Sequence, residues 1–119
     1  MGFVDNIKDA FIKTFVYSGR ASRAQAWHFS LFFMLVIFLF TASIFLFANL
    51  GLFDLIVVEQ YLIIVVYIAF AITNISLSVR RCHDTNKSGW FCIIPIVGVY
   101  YIFFAKGTNG NNRFGDEPN

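Results

Sequence analysis

From Ala24 to Phe53 the chain runs without a single Asp, Glu, Lys or Arg. A helix advances about 1.5 Å per residue and a bilayer core is about 30 Å thick, so roughly 20 apolar residues cross it. The first stretch exceeds that length. Two more uncharged blocks follow, Gln60 to Val79 and Ser88 to Ala105. Composition agrees: of 119 residues 58% are hydrophobic and 13% charged, against about 25% charged in soluble domains. So short a chain has too little interior to hide 16 Phe among its other apolar residues. Both a soluble globular domain and a disordered chain are excluded.

The chain therefore reads as an all-α integral membrane protein forming a single membrane domain, 1–119. A short amphipathic interfacial helix, 1–18, precedes three hydrophobic segments at 24–53, 60–79 and 88–105, and a polar Gly- and Asn-rich tail occupies 106–119. Fifteen Leu, Ile, Phe and Val between His28 and Leu50 favour insertion of the first segment by roughly 4 to 9 kcal/mol at most. The third offers nine between Trp90 and Ala105 and carries Pro95 and Gly98 near its middle. Three spans are expected, the third a thin or kinked one, with a re-entrant hairpin as the alternative. A re-entrant third segment would leave the tail on the same side as the other basic residues. The first run is longer than the roughly 7 to 15 apolar residues of a signal peptide and reads as a retained anchor.

Basic residues set the orientation. Lys8, Lys13, Arg20 and Arg23 precede the first segment, and Arg80, Arg81 and Lys87 follow the second. The connector Asp54 to Glu59 between them has two acids and no base. The positive-inside rule puts the N-terminus in the cytoplasm and that connector outside. No ionisable residue is expected at mid-membrane, which argues against a proton-coupled pump or a voltage sensor.

Local signals refine this picture. Phe3, Ile7, Ala10, Phe11 and Phe15 recur at helical spacing, as in a helix lying in the headgroup region. Gly19 suits the stop of that helix. Ser22 and Gln25 form S-x-x-Q, the pattern of a capping box, ahead of the first span. Trp27 and His28 fall at the interface. Thr73, Asn74, Ser76 and Ser78 are neutral polar residues suited to hydrogen bonds with neighbouring helices or, in an oligomer, to lining a pore. Cys82 and Cys92 fall on the reducing side, where a disulfide is not expected, and their spacing gives no zinc framework.

The densest polar chemistry lies between Arg80 and Trp90. Continued as helix, Arg80, His83, Asp84 and Lys87 share one face, and Arg81 reaches Asp84 at i+3. Arg forks and a Lys ammonium at a membrane face suit the phosphate of an anionic headgroup. His83 beside a carboxylate also suits a general base, while the plainest reading is a positive-inside anchor. The candidate contacts for anion, lipid headgroup or partner are Arg20, Arg23, Arg80, Arg81, His83, Asp84, Lys87 and Arg113. No catalytic, cofactor or metal site is assigned. The expected partners are the phospholipid bilayer, anionic lipid in particular, and a second copy or another membrane protein, with no nucleic acid.

Three motifs carry a family resemblance: Gly19-Arg20-Ala21-Ser22-Arg23 with Trp27; Arg80-Arg81 with His83-Asp84 and Lys87-Ser88-Gly89-Trp90; and Gly107-Thr108, Gly110 and Asn112-Arg113-Phe114-Gly115 before Pro118. With them the chain resembles the bacterial inner-membrane family named domain of unknown function 805. It departs at Gln25, where an acidic residue is usual, at Cys82, where Leu is usual, and at Asn86, where Gly is usual. The resemblance implies a multi-pass protein of the bacterial inner membrane and no particular activity. The first reading is a headgroup-binding or assembly protein at the cytoplasmic leaflet. The alternatives are a small-solute transporter or channel subunit and, third, a membrane enzyme using His83 and Asp84.

Overall fold

A computed structural model describes residues 2–118, and the described residues are helical, with no strand beyond one isolated bridge between Asn112 and Gly115. Helix α1 covers Phe3–Ile12, α2 Arg23–Asn49 and α3 Phe53–Asp84. A 3-10 turn follows over Gly89–Ile93, then α4 over Pro95–Val99 and a wide turn over Tyr100–Phe104.

Helices α2 and α3 contain no Gly or Pro, and their long apolar windows are 0% and 11% buried within the protein. A core helix of a soluble protein would be covered, so these outward-facing Leu, Ile, Val and Phe need lipid. Twenty-seven and 32 residues correspond to about 40 and 48 Å of helix, enough to cross and leave polar ends outside the hydrocarbon. The many β-branched residues of α3 do not prevent helix, because in lipid each backbone group must find its partner within the segment.

The turn between α2 and α3 is shorter than expected. It comprises only Leu50–Leu52, and Asp54 to Glu59 belong to α3 rather than to an external loop. Gly51 makes this tightness available: at φ +72° its N–H bonds Ala48 C=O at 3.2 Å, and Leu52 N–H bonds Phe47 C=O at 2.9 Å. That paired closure ends a helix in one residue of left-handed backbone. Glu59 is thereby drawn into the helical pair.

Helix α1 is also shorter than the expected 1–18, ending at Ile12, with Lys13 as its cap. It lies across the N-terminal part of α2 and the C-terminal part of α3 rather than on lipid alone. Phe11 enters an aromatic cluster, with ring centroids 5.2 Å from Phe70 and 5.5 Å from Phe29, while Phe33 sits 4.9 Å from Phe70. Such pairs contribute about 0.5 to 1.5 kcal/mol each beyond buried area. Polar side chains of α3 hold the end of α1: Thr73 Oγ1 meets Thr14 Oγ1 at 2.8 Å, and Ser76 Oγ donates to Lys13 C=O at 3.1 Å.

The third segment folds back instead of running straight through. Pro95 forces Ile94 into extended backbone, separating the 3-10 turn from α4. The two pieces then close on each other at Gly98, where a Cβ would stand 2.6 Å from Cys92 C=O. Both ends of the segment lie at the same end of the hairpin. Gly89 packs against Val79 of α3, and Phe103 and Phe104 meet the first turns of α2. The expected third span does not form: among the described residues two helices are long enough to cross, the segment 88–105 folds back on itself, and the tail returns to the end that carries Arg20 and Asp84.

Candidate functional site

Asp84 ends α3 and is 4% exposed, with a different arginine on each oxygen. Arg20 Nε donates to Oδ1 at 3.0 Å, and Arg81 Nη1 donates to Oδ2 at 2.7 Å. Arg20 comes from the connector between α1 and α2, so this carboxylate joins segments 64 residues apart. The rest of the Arg20 fork reaches the tail, donating to the carbonyls of Thr108, Gly110 and Gly115. Gly107 passes so close to Asp84 that a Cβ there would collide with its carboxylate. Only glycine lets the tail reach this position.

Arg81, fully buried, directs its remaining donors to backbone. Nε bonds Ile102 C=O at 2.8 Å, Nη2 bonds those of Tyr101 and Ala105 at 2.9 and 2.8 Å, and Nη1 also bonds Ala21 C=O at 3.0 Å. With Asp84, all five N–H groups of the guanidinium are occupied. Trp27 Nε1 donates to Phe103 C=O at 2.9 Å and Arg23 Nη1 to Phe104 C=O at 3.3 Å. Five consecutive carbonyls, 101 to 105, are thus held by side chains of α2 and α3. These are the end groups that a helical segment leaves unpaired, and cations favour that end.

The other sequence candidates surround this knot. His83 Nδ1 lies 3.0 Å from Gly19 C=O, and its ring stacks on Phe114 at 4.0 Å and 3°. Arg113 covers the same Phe114 ring at 4.7 Å. His83 and Asp84 do not address each other, since the carboxylate is taken by arginines. Arg80 turns the opposite way, toward α1, where Asp9 is 4.0 Å off. The expected single face of Arg80, His83, Asp84 and Lys87 therefore does not form: α3 stops at Asp84, and Lys87 lies beyond the turn. Arg81 and Asp84 do pair at i+3 as expected.

Ser22 caps α2 as the sequence suggested, accepting from Gln25 N–H at 3.2 Å. Gln25 does not complete the box. It reaches across to α1 instead, donating to Asp9 Oδ2 at 2.8 Å and Asn6 C=O at 3.1 Å. An amide at position 25 donates to Asp9 where a carboxylate would repel it. Burial pushes the Asp9 carboxyl up, but the hydrogen bonds from Gln25 and Lys13 and the charges of Lys13 and Arg80 outweigh it, leaving it below the ordinary carboxylate value.

Arg20, Arg80 and Arg81 are buried, whereas Lys8, Arg23, Lys87, Lys106 and Arg113 are exposed. A polar cleft of about 270 Å³ opens between the first turn of α2 and the tail, lined by Arg23, Lys106, Thr108, Asn109 and Glu117 among others. Lys106 was not among the sequence candidates because a lone tail lysine carries no signal until the tail is placed.

Glu59 was also missed. It is 6% exposed, accepts a hydrogen bond from Ser43 Oγ through Oε1, and has Oε2 buried without a partner among the described residues. Ser43 and Glu59 each stand eight residues from Gly51, which is the register of a tight hairpin. That signal is readable only once the turn is placed.

A family model described as "Protein of unknown function (DUF805)" matches residues 14–116. Inner membrane protein YhaI of Escherichia coli strain K12 is 33% identical over 116 residues, covering 90% of both chains. Inner membrane protein YhaH of the same strain is 42% identical over 45 residues, covering 33% of this chain and 37% of that one. No solved structure matches.

Proposed function

Because the chain belongs to the DUF805 family of proteins of unknown function, whose relatives include inner membrane proteins, we propose an activity from its own geometry: binding of anionic lipid headgroups at the cytoplasmic leaflet by a multi-pass inner-membrane protein with its N-terminus in the cytoplasm. The observation that carries it is the segregation of charge. All nine Lys and Arg belong to residues 8–23 and 80–113, which pack together at one end of the hairpin and outnumber the five acidic residues there, while the opposite end carries only the acids Asp54 and Glu59.

Within that end the arginines divide by burial. Arg20 and Arg81 clamp the tail and the re-entrant segment, so their role is to hold the surface in shape. Arg23, Lys87, Lys106 and Arg113 remain to meet phosphate, each contributing about 1 kcal/mol of attraction to an anionic leaflet. The exposed Trp27 and Trp90 fit the headgroup level on the same end. The same surface suits a second copy or another membrane protein as partner.

Lipid retention tests the reading. Protein extracted from native membrane in mild detergent should carry phosphatidylglycerol or cardiolipin in its native mass spectrum. A variant with Arg23, Lys87, Lys106 and Arg113 all changed to Gln should lose most of it. Unchanged retention in that variant sinks the proposal.

A further inference from the structure

The end of the hairpin remote from the basic cluster holds one ionisable side chain between its helices. Glu59 lies about 9 Å along α3 from its start, within the apolar part of the pair. Its Oε1 is satisfied by Ser43, and its buried Oε2 has no partner among the described residues. An unpaired polar oxygen in apolar surroundings is costly, so a native structure keeps one where something else completes it. Carboxylates buried among apolar side chains at the border of the hydrocarbon are rare for the same reason and mark functional sites.

The space around it has a definite shape. A groove of about 530 Å³ runs between α2 and α3 with Ser43 and Glu59 as its polar groups, walled by apolar side chains such as Phe40, Phe47, Leu55 and Leu62. Leu39 and Val58 at its margin are more than half exposed, so the groove opens sideways toward lipid. Its volume is that of a small-molecule site.

We propose that this groove binds a lipophilic organic cation, an ammonium or phosphonium carrying apolar groups, which reaches it from the acyl phase. The positive centre sits against the Glu59 carboxylate, and the hydrocarbon body lies against Phe40, Phe47 and Leu62. Charge decides against an anion. A small metal ion needs about six oxygen ligands, and the side chains here offer only a hydroxyl and a carboxylate. The groove runs from Val36 to Phe47 on α2 and from Leu55 to Leu62 on α3, and its single carboxylate among apolar walls matches one positive centre on an apolar body.

Binding of radiolabelled tetraphenylphosphonium to the purified full-length chain in detergent is the test. Saturable binding is expected, weakened at least tenfold in Glu59→Gln and retained in part by Glu59→Asp. Val58→Trp, which keeps the carboxylate and fills the groove, should weaken it comparably and carries the test if Glu59→Gln does not fold. Non-saturable uptake by the unmodified chain overturns the proposal, as does equal binding by a folded Glu59→Gln protein. So does a chain that ignores the cation but crosslinks through position 59 to a basic helix of another protein. Headgroup binding by Arg23 and Lys106 at the opposite end is unaffected by any of these results.

Discussion

Arg20 and Asp84 form a buried ion pair at 2.9 Å, with side-chain exposures of 1% and 6%. Through it the connector before the first span is tied to the end of the second, and the remaining donors of Arg20 bring in the tail. Asp84 also answers Arg81, so one carboxylate balances two buried guanidinium groups. Asp84→Asn should destabilise the fold by about 3 to 5 kcal/mol, because it strands both cations without solvent. Thermal unfolding in detergent would show the loss, and limited proteolysis should cut the tail near Lys106 first. If the variant resists both, the pair is not what holds the tail.

A second prediction concerns Asn86, which adopts φ +59° just past α3. The closing bonds are those of a left-handed helix stop, from Asn86 N–H to His83 C=O at 3.0 Å and from Lys87 N–H to Cys82 C=O at 2.9 Å. Asparagine tolerates this backbone and glycine adopts it freely, which explains why Asn replaces the Gly usual in the resemblance. Asn86→Gly should leave the melting temperature unchanged or slightly raised. Asn86→Val should cost about 1 to 2 kcal/mol. Equal stability of the two variants would argue against the stop as drawn.

Sidedness gives a third. Because the segment 88–105 returns to its starting end, single cysteines at Ser18 and Asn109 should react with a membrane-impermeant maleimide from the same side, in a background lacking Cys82 and Cys92. A cysteine at Asp54 should react from the other side. Opposite labelling of positions 18 and 109 would mean that the third segment crosses.

What could be read beforehand divides along a physical line. Lipid imposes helix and length on the uncharged runs, so α2 and α3 were visible in composition alone, and local caps such as Ser22 act within a few residues. The re-entrant fold was visible only as an alternative, since its causes, Arg81 on carbonyls 101, 102 and 105 and Gly98 against Cys92, are contacts between distant or folded-back backbone. Burial inverted the meaning of the basic residues: Arg20, Arg80 and Arg81 look like a positive surface in sequence and are interior in three dimensions. Glu59 was assigned to a loop because the turn was assumed to span every charged residue between the two runs, whereas Gly51 closes it in three.

The last prediction rests on Arg80 and Asp9. Arg80 is 1% exposed, its guanidinium has no hydrogen-bond partner among the described residues, and Asp9 at 4.0 Å is the carboxylate that faces it. Asp9→Asn should therefore destabilise by about 1 to 3 kcal/mol, less than Asp84→Asn, because Asp9 is itself partly solvated. Acid adds a sign to this. The Asp9 carboxyl titrates below its ordinary value of 3.8 in the folded chain, so between the two values the unfolded chain binds more protons. Its contribution is complete above the ordinary value and disappears as pH falls through the lower folded one. Melting temperatures measured from about pH 6 downward should fall more steeply in the parent than in Asp9→Asn as that window is crossed. Parallel curves would mean that Arg80 is held by something other than Asp9.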